Sequence, residues 1–409
     1  MRSLKAAPRL RSPRKPDGGP AVGDGFSRPA RSLNIVFLVN NLAYGGAERQ
    51  VVVLARALHE RGHTVSVLTL HAGGDLEPEL RAGGVRLRSL EKRGRWDIAG
   101  FFIRLAQALR EERPDILHGY LSTPNIATTL IRPVVPGLKT VWGERASNME
   151  LSQYHWIARF SNVLEIALSR FPDLHIVNSW AGLADATGRG YPAAKCAVIP
   201  NGIDTDRFRP DVVAGRELRT AWGIGDGTML VGRVGRLDAM KDHSTFLTAA
   251  AQLARQRDDV QFVCLGNGDV RYRAELEQMG REAGLDGRLR WFPAQAKMNT
   301  VYNALDVACS SSAYGEGFPN VVGEAMACGV PCVVTDVGDS ARLVGDGRFV
   351  VPPRDPEKLA GCLDRVLSLP STERDHLRVQ LRQRVVDHFS VARLTEATEQ
   401  TLLALFDGT

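Results

Sequence analysis

The chain has 409 residues, 44% of them hydrophobic and 24% charged, the balance of a soluble globular protein too long for one comfortable core and sized for two domains. Of its 52 basic and 46 acidic side chains, eight bases but only two acids (Asp17 and Asp24) fall in residues 1–31, so the remaining 44 of each leave the body neutral despite a formal charge of +6. A basic nucleic-acid-binding domain would carry its excess on the folded part, whereas here it lies on the tail, so no nucleic-acid partner is expected, and no apolar run approaches the roughly 18 residues of a membrane-spanning helix. The six cysteines include no C-x-x-C pair and read as reduced core thiols, not as a disulfide frame or a metal site.

Residues 1–31 are a Pro/Gly/Arg tail with too few apolar residues to fold, and they lack the apolar stretch of a secretory signal. Two readings stand: an arm that adheres to an anionic membrane at about 1 kcal/mol per charge near the lipid, and an extended start with no role.

From residue 34 onward, short β-rich apolar runs alternate with helical periodicity. The first half has strands expected at 34–40, 64–70, 85–90, 115–120, 139–144 and 174–179. Between them, "AERQVVVLARALHERGH" sets Val52, Leu54, Ala55 and Leu58 on one side of a helix that stops at Arg61-Gly62. "IAGFFIRLAQALREERP" sets Ile98, Phe101, Phe102, Leu105 and Leu109 on one stripe, as a helix covering a sheet does. The second half repeats the pattern, with strands expected at 196–201, 229–236, 260–266, 289–293, 306–311, 332–337 and 348–353. Continuous apolar strands alternating with helices imply parallel sheets covered on both faces. The expected fold is α/β: two tandem doubly wound, Rossmann-like domains with a cleft between them. The division is residues 32–195 and 196–385, the last helix (386–409) returning to the first domain.

Ligands of such sheets sit at the carboxyl ends of the strands. After the first strand, Gly45-Gly46 permits close backbone approach and the following helix offers free N–H groups to an anion, although the pair lacks the G-x-G-x-x-G spacing of a dinucleotide fingerprint. His118, placed at the end of the fourth strand, faces the cleft on that placement, yet taken alone reads more readily as a structural histidine. In "GRVGRLDAMKDHS", Arg236 follows a strand and Lys241 precedes a helix beginning near His243, a site for concentrated negative charge such as a diphosphate. In "EGFPNVVGE", Glu316 lies in a loop, Pro319 opens a helix running to about Ala327, Gly329 stops it, and Glu324 lies about one turn inside. The amides of Gly317 and Phe318 stand free between the two acids. Paired acids also serve glycoside hydrolysis, but that chemistry gives no reason for the Arg/Lys pair.

Together "GGAERQ", "PDILHGY", "VIPNGIDTDRFRP", "GRVGRLDAMKD" and "SSSAYGEGFPNVVGEAMACGVPCVVTDVG" resemble the retaining glycosyltransferases of family 4, with the GT-B architecture, over about residues 34–406. The last stretch carries the family's E-x7-E pattern. "GERASNMELSQYHW" (143–156) is similar to a subgroup from bacterial surface-polysaccharide clusters. The resemblance implies that Glu316 binds hydroxyls of a donor sugar and Glu324 the ribose of its nucleotide, beside the donor-binding stretch Gly317, Phe318, Pro319 and Asn320. It implies that Arg236 and Lys241 neutralise the diphosphate, that His118 reaches the sugar, and that Gly45 and Gly46 lie beside the phosphates. It assigns no role to Asp339 or Ser340, where the chain departs from the family pattern.

The implied function is retaining transfer from a nucleotide-diphosphate sugar to a glycan or polyprenyl-linked acceptor in surface polysaccharide synthesis, without a cofactor or metal. The expected location is the cytoplasm, with peripheral contact at the inner face of the membrane. The alternatives are a non-catalytic nucleotide-sugar binder and an epimerase or hydrolase on the same architecture.

Overall fold

The structure, a computed structural model, describes residues 31–94, 96–145 and 156–407, with backbone alone for 156–161. The tail, Arg31 apart, and positions 146–155 of the "GERASN" stretch lie outside the described residues.

Among the described residues the first half alternates β1 (Asn34–Val39), α1 (Gly46–Glu60), β2 (Thr64–Thr69), α2 (Glu77–Ala82), β3 (Arg86–Ser89), α3 (Ile98–Glu112), β4 (Ile116–Tyr120), α4 (Ser122–Ile131), β5 (Lys139–Glu144), α5 (Trp156–Leu168), β6 (Leu174–Val177), α6 (Trp180–Gly188) and β7 (Cys196–Val198). These seven strands form one parallel sheet ordered β3-β2-β1-β4-β5-β6-β7, with Val36 against Ser66 and Leu117 in register. After α7 (Val212–Ala221), a second parallel sheet, ordered β10-β9-β8-β11-β12-β13, is built from β8 (Met229–Val234), α8 (His243–Gln256), β9 (Val260–Leu265), α9 (Val270–Glu282), β10 (Leu289–Phe292), α10 (Met298–Ala304), β11 (Val307–Ser310), α11 (Asn320–Ala327), β12 (Cys332–Thr335), α12 (Ser340–Val344) and β13 (Val350–Val351). Helices α13 (Pro356–Leu367), α14 (Ser371–Phe389) and α15 (Val391–Leu403) complete the chain.

Both sheets are doubly wound: the strand order reverses beside β1 in the first and β8 in the second, and such reversals open crevices at the carboxyl ends of the strands. The core of the first half lies on both faces of its sheet. Phe37, Val51, Leu54, Leu58 and Ile116 occupy one face, while Val36, Leu38, Leu105, Leu109 and Leu117 occupy the other. Helix α3 buries Phe101, Leu105 and Leu109 but leaves Ile98, its first residue, exposed.

One expectation is corrected here. The segment at 196 was to open the second half, yet β7 pairs with β6, Ala197 opposite Ile176, and is the last strand of the first sheet. A three-residue strand is assigned by its hydrogen-bonding partner, which periodicity does not report. The chain crosses over only after Val198. It crosses back after Phe389, and the two crossings lie side by side: Ile203 N donates to Phe389 O (2.7 Å) and Val391 N to Ile203 O (3.2 Å). Helix α15 then packs on the first half, where Leu394 and Leu402 enter its core and Glu399 accepts from Arg61 Nη2 (2.5 Å) and pairs with His63 Nε2 (2.8 Å).

Candidate active site

At the carboxyl end of β8 the chain makes one tight helical turn over Ala239–Lys241, capped by Asp238, whose carboxylate accepts from Met240 N at 3.0 Å. Asp242 follows with φ +46°, a left-handed conformation that costs a non-glycine residue about 1 kcal/mol or more. Its carboxylate recovers part of that by capping α8 through Thr245 N (3.1 Å) and Ser244 Oγ (2.7 Å). This turn sends Lys241 toward the loop after β11, where its Nζ forms an ion pair with Glu316.

Glu316 is only 6% exposed and also accepts from Ser312 Oγ at 2.6 Å. Burial opposes its charged form, but the charge and hydrogen bond of Lys241, then Ser312 and the charge of Arg233, outweigh it and hold the carboxyl below its ordinary range. Arg233, inside β8 and 1% exposed, ties this wall together by donating to Ser311 Oγ (3.2 Å), Val234 O (2.8 Å) and Lys241 O (2.5 Å). Gly338 (φ +61°) backs the loop; a Cβ there would lie 2.4 Å from Glu316 O.

Helix α11 begins one residue later than expected, with Pro319 in the cap position and no side-chain cap. Among the described residues, the Gly317 and Phe318 amides meet no backbone acceptor. Glu324 accepts from Tyr302 OH at 2.7 Å; burial raises its pKa, and that bond and the charges of Arg49 and Arg207 offset this in part. Lys241, Ser312 and Glu316 are thus brought together, while Glu324 has separate partners. Arg236 is not engaged with either glutamate. Its side chain is 66% exposed and pairs with Asp238 at 3.2 Å.

The opposite wall is the carboxyl edge of β4, β5 and β6. His118 does not end β4 but sits at its centre, fully buried, its ring 5.2 Å from Phe37 and 4.8 Å from Tyr120. A central parallel strand is covered on both faces, so the expected cleft-facing position is not found. Burial, then the nearby Arg145 charge, pushes its pKa well below 6.5, and neither ring nitrogen has a partner among the described residues. Asn178 Oδ1 and Glu165 Oε1 are likewise buried without partners. Glu144, at the tip of β5, accepts from Asn125 Nδ2 (3.0 Å), and burial reinforced by the Glu165 charge raises it to about 8.

The walls touch. Asn320 Oδ1 accepts from Asn201 Nδ2 (2.8 Å), and Asn320 Nδ2 donates to Gly46 O (3.4 Å), which joins the start of α11 to the expected glycine pair before α1. Gly317 comes so near β6 that a Cβ would lie 2.6 Å from Asn178 Oδ1. Asp339, given no role by the sequence, accepts from Trp180 N and Ala181 N, both at 2.9 Å, and so caps the first turn of α6 from the other half. Its partners lie 159 and 158 residues away along the chain, and no local signal marks it. Arg233 did leave a signal, a charge at an inward position of the apolar run "MLVGRV".

Two family patterns match the chain: "Glycosyltransferase Family 4" over residues 44–207 and "Glycosyl transferases group 1" over residues 228–368. A D-inositol 3-phosphate glycosyltransferase of Geodermatophilus obscurus is 28% identical over 405 residues, which are 88% of this chain and 86% of that protein. Its counterpart in Corynebacterium urealyticum is 32% identical over 209 residues, and the match spans about half of each chain, 48% of this one and 49% of that one. Among solved structures, an Anabaena protein, Alr3699/HepE, in complex with UDP-glucose superposes with a TM-score of 0.80 at 21% identity, covering 90% of this chain and 99% of that one. Sucrose-phosphate synthase from Thermosynechococcus elongatus superposes with a TM-score of 0.77 at 20% identity, covering 93% and 100%. At that identity the likeness is one of fold, and the fold is GT-B.

Proposed function

The chain belongs to glycosyltransferase family 4, and on that premise we propose that it transfers a sugar, with retention at the anomeric carbon, from a nucleotide-diphosphate sugar to a glycan or polyprenyl-linked acceptor of a surface polysaccharide. The observation that carries this reading is the pair of half-buried Lys241 and buried Glu316 at the strand ends of β8 and β11, which sets a cation and a hydroxyl acceptor side by side. On this reading Glu316 holds the donor sugar's hydroxyls and Glu324 the ribose. As the bond from the anomeric carbon to the diphosphate lengthens, charge grows on the leaving oxygens and Lys241 stabilises it from a fixed position. Arg236, exposed here, turns inward only when the diphosphate arrives. The acceptor hydroxyl attacks from the leaving-group side and gives its proton to the departing phosphate. No metal ion takes part in the proposed step.

The half containing β8 to β13 is the proposed donor domain, and the half containing β1 to β7 with α15 the acceptor domain. Closure of the two excludes water from the reacting bond. Among the described residues no helix is long and apolar enough to cross a membrane. We place the protein in the cytoplasm, at the inner membrane face where a lipid-linked acceptor is presented.

The test incubates the full chain with UDP-, GDP- and ADP-sugars, with and without polyprenyl-diphosphate glycan or inositol phosphate. UDP-glucose leads the panel because of the Anabaena complex, and inositol phosphate is included because of the names of the relatives. Acceptor-dependent release of nucleoside diphosphate supports the proposal. Free sugar without acceptor marks a hydrolase, and binding without turnover marks a non-catalytic binder; either overturns it.

A further inference from the structure

Arg145 follows the last residue of β5 and had no role in the sequence reading. Its guanidinium lies over the Tyr120 ring at 4.2 Å, and Nη1 donates to Asn201 Oδ1 at 3.2 Å. The Asn178 amide reaches its main-chain oxygen at 3.5 Å. The ring and Asn201 hold the guanidinium, and the Asn178 contact holds the main chain behind it. The other two positions, Nε and Nη2, are buried and have no partner among the described residues. They form the edge of an arginine that takes two oxygens of one anion in parallel. No described carboxylate pairs with Arg145. The nearest acid in sequence, Glu144, accepts from Asn125 instead, and burial disfavours its charged form.

Position adds to this. The Arg145–Asn201 bond continues through Asn320 to Gly46, so the guanidinium is tied through Nη1 to the seam where α1 and α11 begin. Neither helix has a side-chain cap at that end. Resting on the reading of the cleft given above, we infer that Arg145 is a phosphate-binding residue, whose Nε–Nη2 edge receives two oxygens of a phosphoryl group. That group belongs to the donor's diphosphate or to a phosphate on the acceptor. His118, beside it and neutral, adds no competing charge.

Calorimetric titration of UDP, GDP and ADP into the full chain, with steady-state KM values for donor and acceptor, tests this on wild type, R145M and R145K. If the donor supplies the phosphate, R145M weakens nucleoside-diphosphate binding at least tenfold, about the weight of a two-pronged charged contact. R145K, which keeps the charge without the fork, falls between. If the acceptor supplies it, nucleotide affinity holds while KM for a phosphate-bearing acceptor rises at least tenfold and KM for a phosphate-free glycan does not. Either result supports the inference. It is overturned if folded R145M leaves nucleotide affinity and every KM within twofold of wild type. It is equally overturned if R145K matches wild type throughout, and this arm suffices should R145M fail to fold. A wild type that binds no nucleoside diphosphate defeats the proposed function as well; a wild type that binds normally beside unaffected variants defeats only the role of Arg145.

Discussion

On the second-sheet wall, Glu316 is met by Lys241 and Ser312, and Arg233 beneath them spends its donors on three oxygens. On the first-sheet wall, His118, Arg145, Asn178 and Glu165 each keep at least one buried polar atom without a described partner, whereas on the second the enclosed His243 ring is the one such group beside Lys241. Buried polar groups are normally satisfied, and those that are not call for a reason. A wall whose charges are already neutralised is organised before any ligand comes. Of the unmet groups, His118 is enclosed in the sheet, and Arg145, hydrogen-bonded to Asn201 at the seam, is the one placed for a ligand. On the proposed assignment of the two halves, the contrast places preorganisation on the second-sheet side and recognition of a variable partner on the first.

The strongest way to break this contrast is Lys241→Met. It is expected to reduce transfer at least a hundredfold, on the scale of losing a fixed electrostatic contact. It should also cost about 3 kcal/mol, because Glu316 is left buried without its cation. Adding Glu316→Gln should restore most of the stability in urea unfolding and none of the transfer. Recovery of both would show that the pair is structural only. The same pair sets an acid limit: with the Glu316 pKa depressed, its stabilisation is present at neutral pH and lost as pH falls below the ordinary carboxylate range.

A smaller effect is expected at the seam. Asp339→Asn replaces one of two accepting oxygens with a donor facing an amide of α6, which should cost about 1 kcal/mol. If contact between the walls accompanies turnover, kcat/KM should drop several-fold, and small-angle scattering should report a larger radius of gyration. An unchanged radius and turnover would confine Asp339 to capping its helix.

The smallest effect sharpens the first-sheet side. Burial and the neighbouring Glu165 charge raise the Glu144 carboxyl from an ordinary 4.5 to about 8, so between those values the native state is expected to hold a proton that the unfolded state has released. Stability therefore declines as pH rises through that window. Glu144→Gln should flatten the decline, melting like wild type near pH 4.5 and at higher temperature than wild type at pH 8. Parallel melting curves at both pH values would show that Glu144 is ionised in the fold.

The elements were legible in the sequence for a physical reason. Strands covered on both faces must be apolar throughout, and "NIVFLV" or "VQFVCL" has few other uses. The helix stop at Gly62 and the one at Gly329 were legible because both residues take positive φ. Within the site, Lys241 and Glu316 could be placed because each stands in a loop at a strand end. Arg233 and His118 were misjudged or overlooked, since the sequence says that a strand is buried but not which polar side chain it encloses. The sheet of β7, the cap from Asp339 and the free edge of Arg145 depend on partners distant along the chain, and no window of residues contains them.

The paired crossings at Ile203 and Ser390 have a mechanical consequence. A single tether would let one half swivel and tilt freely against the other. Two strands bonded side by side resist twisting and leave bending across the strap as the soft motion. With α15 seated in the opposite core, a protease cut at either crossing alone should leave the pieces holding one another, and heating should melt both halves in one cooperative step.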